Sequence, residues 1–162
     1  MEIAGEDVRD RLRRLGPDGR ITHQSVWAPY LVATSGAAAP LAEMAERQEL
    51  PEGGSAVVYT GLLPKRLVRV VARGRGEWED PFGAGPSSVE VTSSSIEAAA
   101  YRLENLDTLR SEVVGSFTVR SDLVIEAGDE AVPVPYFRAP RRGAPDDDVD
   151  AFVMAVLAEL NR

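Results

Sequence analysis

No cysteine occurs in the 162 residues, and histidine and lysine occur once each, at His23 and Lys65. Without cysteine there is no disulfide, no thiolate zinc site, no iron–sulfur cluster and no thiol nucleophile. One histidine with no partner at motif spacing supports neither a Ser-His-Asp triad nor a His-Glu-x-x-His zinc motif, so His23 reads as a surface or helix-capping residue. The glycine-rich pieces Gly74-Arg75-Gly76 and Gly83-Ala84-Gly85 match neither a dinucleotide nor a Walker fingerprint, and no Gly-x-Ser-x-Gly occurs. No cofactor is expected, and nucleotide or acyl-transfer chemistry has no carrier in the sequence.

Long apolar runs are also missing: none approaches the roughly 18 residues needed to span a bilayer. The acidic start Met1-Glu2-Ile3-Ala4-Gly5-Glu6-Asp7 lacks the basic and apolar regions of a signal peptide. With no cysteine present, a cytoplasmic location is the expectation. Acidic residues number 26 against 18 basic ones, a net charge of -8, which repels nucleic acid and anionic membrane at long range. A local basic patch is the one route to either.

What is present is ordinary globular material, 44% hydrophobic and 27% charged, in a length suited to one well-filled core. Val8, Leu12 and Leu15 fall at helical spacing before the turn Gly16-Pro17-Asp18-Gly19, predicting a short first helix. Residues 21–34 mix β-branched and aromatic residues around Pro29 and read equally as helix or edge strand. A second helix is predicted over 41–50, where Leu41, Met44, Ala45 and Gln48 share a face behind Pro40.

From residue 55 the pattern changes to strands. Residues 55–63 and 66–73 are rich in β-branched side chains around Pro64-Lys65, a hairpin signature. Residues 74–88 form a long Gly/Pro loop holding Trp78 and Phe82. Strand character returns at 89–95, 96–103, 112–120, 123–126 and 132–137, with turns at Asn105-Leu106-Asp107, Gly115 and Gly128-Asp129. Residues 96–106 fit a helix as well, because Ala98, Ala99 and Ala100 favour one. The last segment is the clearest: after Asp146-Asp147-Asp148, which suit a helix N-terminus, Val149, Phe152, Val153, Val156, Leu157 and Leu160 recur at helical spacing. Burying that stripe contributes on the order of 10 kcal/mol before the entropy cost, and the strands are its natural cover.

Three local stretches carry a family resemblance: Leu50-Pro51-Glu52-Gly53-Gly54-Ser55-Ala56-Val57-Val58-Tyr59, Ser88-Val89-Glu90-Val91-Thr92-Ser93-Ser94-Ser95-Ile96, and Tyr101-Arg102-Leu103-Glu104-Asn105-Leu106-Asp107-Thr108-Leu109. With strands followed by one C-terminal helix, residues 51–162 resemble the pleckstrin-homology-like superfold, including the small bacterial PH and GRAM-like domains. The resemblance implies an α+β, mainly antiparallel β fold, a partly open barrel of about seven strands capped by the helix, that binds proteins, peptides or lipid headgroups. Residues 1–50 would then be a partly helical N-terminal extension. The chain departs from the family at Ser94 or Ser95, where an arginine is usual.

Candidate sites follow. The resemblance implies a phosphate-chelating set of Lys65, Arg73 and Arg75, the alternative being a solvated hairpin face. Arg138, Arg141 and Arg142 suit an acidic partner, or the chain's own Asp146, Asp147 and Asp148. Trp78 and Phe82 read either as exposed aromatic anchors for a partner or as a lid folded on the barrel. The expected function is a non-catalytic interaction module that binds a protein or peptide or self-associates, possible as a homo-oligomer. The alternatives are a carboxylate-dependent enzyme, with or without a divalent ion, built on Glu77, Glu79 and Asp80, and a small acidic immunity- or antitoxin-like protein.

Overall fold

The computed structural model describes residues 8–16, 19–35, 40–110, 117–136 and 147–162. Along these the elements are α1 (Val8–Leu15), α2 (Gln24–Thr34), β1 (Ala42–Glu49), β2 (Ser55–Leu63), β3 (Arg66–Gly74), β4 (Ser88–Ser95), β5 (Ala100–Arg110), β6 (Phe117–Ala127), β7 (Glu130–Val134) and α3 (Asp147–Leu160). The strands form two antiparallel ladders, β1-β2-β3-β4 and β5-β6-β7, and not a closed barrel. The fold is α+β, seven strands in two sheets with a C-terminal helix.

The β2–β3 hairpin is the centre of the first sheet. Leu63 pairs with Arg66 across Pro64-Lys65, and Lys65 has a φ of 57°, so proline at the first corner and a left-handed residue at the second follow the type II turn pattern. Alternation sends Val57, Tyr59, Leu63, Val68, Val70 and Ala72 to one face, where Leu15, Val26, Tyr30 and Trp78 cover them. The opposite face gives Leu62 and Leu67, with Met44 of β1, to a second core. There they meet Leu123, Ile125, Val132 and Val134 of the other sheet and Phe152 and Val156 of α3. Both faces being covered, every residue of β2 is buried, which is why it reads as a continuous apolar run. Two glycines permit the contacts above the sheet. Gly61 lies directly beneath the Tyr30 phenol, and a Cβ on Gly74 would stand 2.5 Å from the Trp78 ring.

The undecided segment 21–34 is helical in spite of Pro29, which sits inside α2 and removes one backbone donor. Packing outweighs that loss, since α2 buries Val26 and Tyr30 on the sheet. His23 caps the helix, its Nδ1 accepting the Ser25 N–H at 3.1 Å.

The helix predicted over 41–50 is instead a strand. β1 pairs with β2 along its whole length, from Ala42 opposite Leu62 to Glu49 opposite Ser55, and residues 50–54 make the hairpin loop. Only Met44 of its eight residues is buried, and the charged remainder suits a sheet edge. Glu43 explains the choice: it accepts from the Arg11 guanidinium through both oxygens and from the Tyr30 hydroxyl at 2.9 Å, fastening α1 and α2 to the edge. Arg11 also donates to Thr34 Oγ1 at 3.1 Å. Burial opposes the Arg11 charge, but Glu43 outweighs it and holds the guanidinium above its ordinary pKa. Burial, then the Glu43 charge, push the Tyr30 phenol well up.

Tyr59 stacks edge-on against Tyr30, ring centroids 5.5 Å apart, and shares a 2.6 Å hydrogen bond with Thr22. Burial raises its phenol to about 12, the Thr22 bond working the other way. A phenol raised from about 10 in the unfolded chain keeps its full stabilising share below pH 10 and loses it as pH climbs towards 12, because there the native state holds a proton the unfolded state has released. Urea midpoints measured across that range should therefore fall, and fall less steeply in Tyr59→Phe; parallel curves would contradict the burial of this hydroxyl.

In the second sheet, the alternatives for 96–106 resolve to Ile96 buried in the second core, then strand β5. Asn105-Leu106 is not a turn. Asn105 takes a φ of 51° and the register with β6 shifts between Glu104 and Asp107, so the pair forms a bulge inside one long strand. The strands expected at 112–120 and 123–126 are, over the described residues, the single strand β6; Gly128-Asp129 does form the β6–β7 turn. In α3 the buried line is Phe152, Val156 and Glu159, with Val149, Val153, Leu157 and Leu160 half-buried beside it. Glu159 Oε1 accepts the Lys65 backbone N–H at 2.9 Å and so pins the β2–β3 turn to the helix. Among the described residues no helix is long and apolar enough to cross a membrane.

Candidate functional site

The two loop aromatics have opposite fates. Trp78 is 1% exposed, lies in the first core and donates its indole N–H to Ser55 Oγ at 2.8 Å. It is therefore a core residue, not a docking anchor. Its ring needs the floor that Gly74 leaves open, a signal that sequence spacing does not carry. Phe82 is 97% exposed, on a turn in which its N–H donates to Asp80 Oδ1 at 2.8 Å.

The basic set does not converge. Lys65 is at one end of β3 and Arg73 and Arg75 at the other, roughly 26 Å apart at about 3.3 Å per residue, so no single anion touches all three. Lys65 pairs with Glu97 at 3.1 Å on an exposed surface, where such a pair contributes little. Arg73 donates to the Tyr136 hydroxyl at 3.3 Å, and Arg69, on the same strand face, stacks its guanidinium 4.9 Å from the Tyr136 ring centre. Tyr136 in turn donates its N–H to Glu46 at 2.7 Å, so these groups tie the exit from β7 to the first sheet. Arg138, Arg141 and Arg142 lie outside the described residues, as does Asp146.

The carboxylate set is divided as well. Glu79 accepts from Arg47 Nε through both oxygens at 3.0 Å and from the Ser55 hydroxyl, which makes it part of the frame around Trp78. The Asp80 carboxylate caps its own turn. Among the described residues no three histidine, cysteine or acidic side chains are grouped to hold a metal ion. A cavity of about 560 Å³ between α1, β1 and α3 is lined by Leu15, Leu41, Met44 and Phe152 together with the charged Arg14 and Glu43.

The surface that stands out is one the sequence did not flag. Among the described residues β5 pairs with β6 alone, leaving an edge eleven residues long. Across the ladder Tyr101 faces Ile125 and Leu103 faces Leu123, and on the far side of β6 Val132 and Val134 face the same two residues. The apolar face of this sheet thus runs without a break from β7 to β5. Leu123 and Ile125 are sealed in the core while Tyr101 and Leu103 stay 41% and 44% exposed. On the opposite face Arg102 bonds Glu104 at 2.8 Å and also pairs with Glu126. An open strand edge beside exposed apolar side chains is a template for another strand. Compared with protein-family models, with curated proteins and with solved structures, the chain gives no significant match.

Proposed function

We propose that this chain is a non-catalytic interaction module of the pleckstrin-homology-like type, working in the cytoplasm, that takes an extended polypeptide segment as an added strand on β5. The observation that carries it is the edge itself: one ladder partner among the described residues, and Tyr101 and Leu103 exposed in continuation of a buried apolar face. Main-chain hydrogen bonds along such an edge supply affinity, and alternate side chains of the guest supply selectivity. The family reading is supported by the order of parts, a four-stranded and then a three-stranded antiparallel ladder followed by a C-terminal helix. The non-catalytic reading is supported by the structural duties of the chemistry-bearing groups, with His23 capping α2 and Glu79 bonded to Arg47 and Ser55.

Selection of displayed random peptides on the folded protein is the test. Enriched sequences should alternate apolar and polar residues, and Leu103→Lys should weaken their binding about tenfold or more, equivalent to about 1.4 kcal/mol, with the melting temperature nearly unchanged because Leu103 is on the surface. Peptides that bind the variant as well as the parent would overturn the assignment to β5.

A further inference from the structure

We infer that the segment taken by β5 is the β5 of a second copy of this chain, paired antiparallel about a two-fold axis at Leu103; this rests on the edge-strand reading above. A two-fold axis perpendicular to the sheet keeps both apolar faces on the same side, and side chains alternate with a period of two, so the axis must pass through a residue and not between residues. Centring it on Arg102 would set two guanidiniums against each other. Centring it on Leu103 sets Leu103 against its own mate on the apolar face and, on the polar face, sets Arg102 against Glu104 twice, once on each side of the axis.

The local structure fits that register and limits it. Arg102 already reaches Glu104 and Glu126 within its own chain, so the charges lie on the polar face before a partner arrives. The next pair outward is Tyr101 against Asn105, and there the ladder ends, because Asn105 has a φ of 51° and the bulge turns the strand. The paired segment is therefore residues 101–105, joining two three-stranded sheets into one of six strands and covering that stretch of both β5 edges. Such a contact is isologous and closes at the dimer. With so short a ladder, its affinity belongs in the range where concentration decides how much dimer forms.

Sedimentation velocity on the full chain, from micromolar to sub-millimolar concentration, tests this. The wild type should shift from monomer to dimer as concentration rises, and less so in high salt. Arg102→Glu and Glu104→Arg should each weaken the dimer about tenfold or more, since each sets like charges opposite one another at both sides of the axis. The double variant Arg102→Glu/Glu104→Arg should restore it, and thermal melts of all four proteins keep loss of folding apart from loss of pairing. A wild type that stays monomeric throughout, a dimer indifferent to the single changes, or a double variant as weak as the singles overturns the self-pairing. If the wild type is monomeric yet selected peptides still bind through Leu103, the edge reading stands with a foreign segment as its guest. If neither occurs, both fall.

Discussion

Trp78→Ala should lower the unfolding free energy by roughly 3–5 kcal/mol, while Phe82→Ala, four residues on, should change it by no more than about 0.5 kcal/mol. Both are aromatics of one Gly/Pro loop, and their environments alone separate them. Trp78 fills a site against Gly74 in the first core, and its indole N–H is bonded to Ser55. Ser55 also donates to Glu79, which Arg47 holds from the neighbouring strand, so truncation at Trp78 opens a cavity and leaves the buried Ser55 oxygen short of a donor. Phe82 has almost its whole surface in water, and its removal takes little from the folded state. Urea unfolding followed by far-ultraviolet circular dichroism gives both numbers; a Trp78→Ala loss below about 1 kcal/mol would be too small for a large-to-small change in a packed core.

Removing residues 147–162 should abolish cooperative unfolding altogether. The cut takes Phe152 and Val156 out of the second core and exposes Leu62, Leu67, Leu123, Ile125, Val132 and Val134 together. It also strips the β2–β3 turn of the Glu159 carboxylate that accepts the Lys65 N–H. Phe152→Ala by itself should cost roughly 3–5 kcal/mol, a large part of the 5–15 kcal/mol typical of a whole domain. Differential scanning calorimetry should show one transition for the intact chain, a markedly lower one for Phe152→Ala and none for the truncated chain. A truncated chain that still melts cooperatively would mean that the two sheets hold together without α3.

The parts of this fold that could be read in the sequence are those in which local pattern and tertiary environment agree. The β2–β3 hairpin carries β-branched residues and a proline turn, and α3 repeats its apolar residues at helical spacing above a buried face. Where the two disagree, the environment prevails. Residues 42–49 have helical spacing and good helix formers, yet β2 has an edge to be paired, and Glu43 and Arg47 find partners in Arg11 and Glu79 that no local rule reveals. In α2 a proline inside the helix is tolerated because Val26 and Tyr30 are buried on either side of it.

The candidate site was less legible for a similar reason. Exposed aromatics and arginine clusters are conspicuous in a sequence, and they drew attention to Trp78, which is buried, and to Lys65 and Arg73, which lie at opposite ends of one strand. A free strand edge has no residue signature. Tyr101 and Leu103 become notable only once their opposite numbers, Ile125 and Leu123, are known to be core residues and β5 is known to be an outer strand. Asn105 signals a turn in the sequence and forms a bulge in the strand, because asparagine tolerates the left-handed backbone that both require.

On the function proposed above, the β5 edge is where this protein engages another chain. Backbone hydrogen exchange measured peptide by peptide, at low and at high protein concentration, tests it most directly. Amides of residues 101–105 should slow markedly at high concentration while those of β4, an outer strand of the other sheet, stay unchanged. Exchange across 101–105 that is independent of concentration, and stays so when selected peptides are added, would contradict the account.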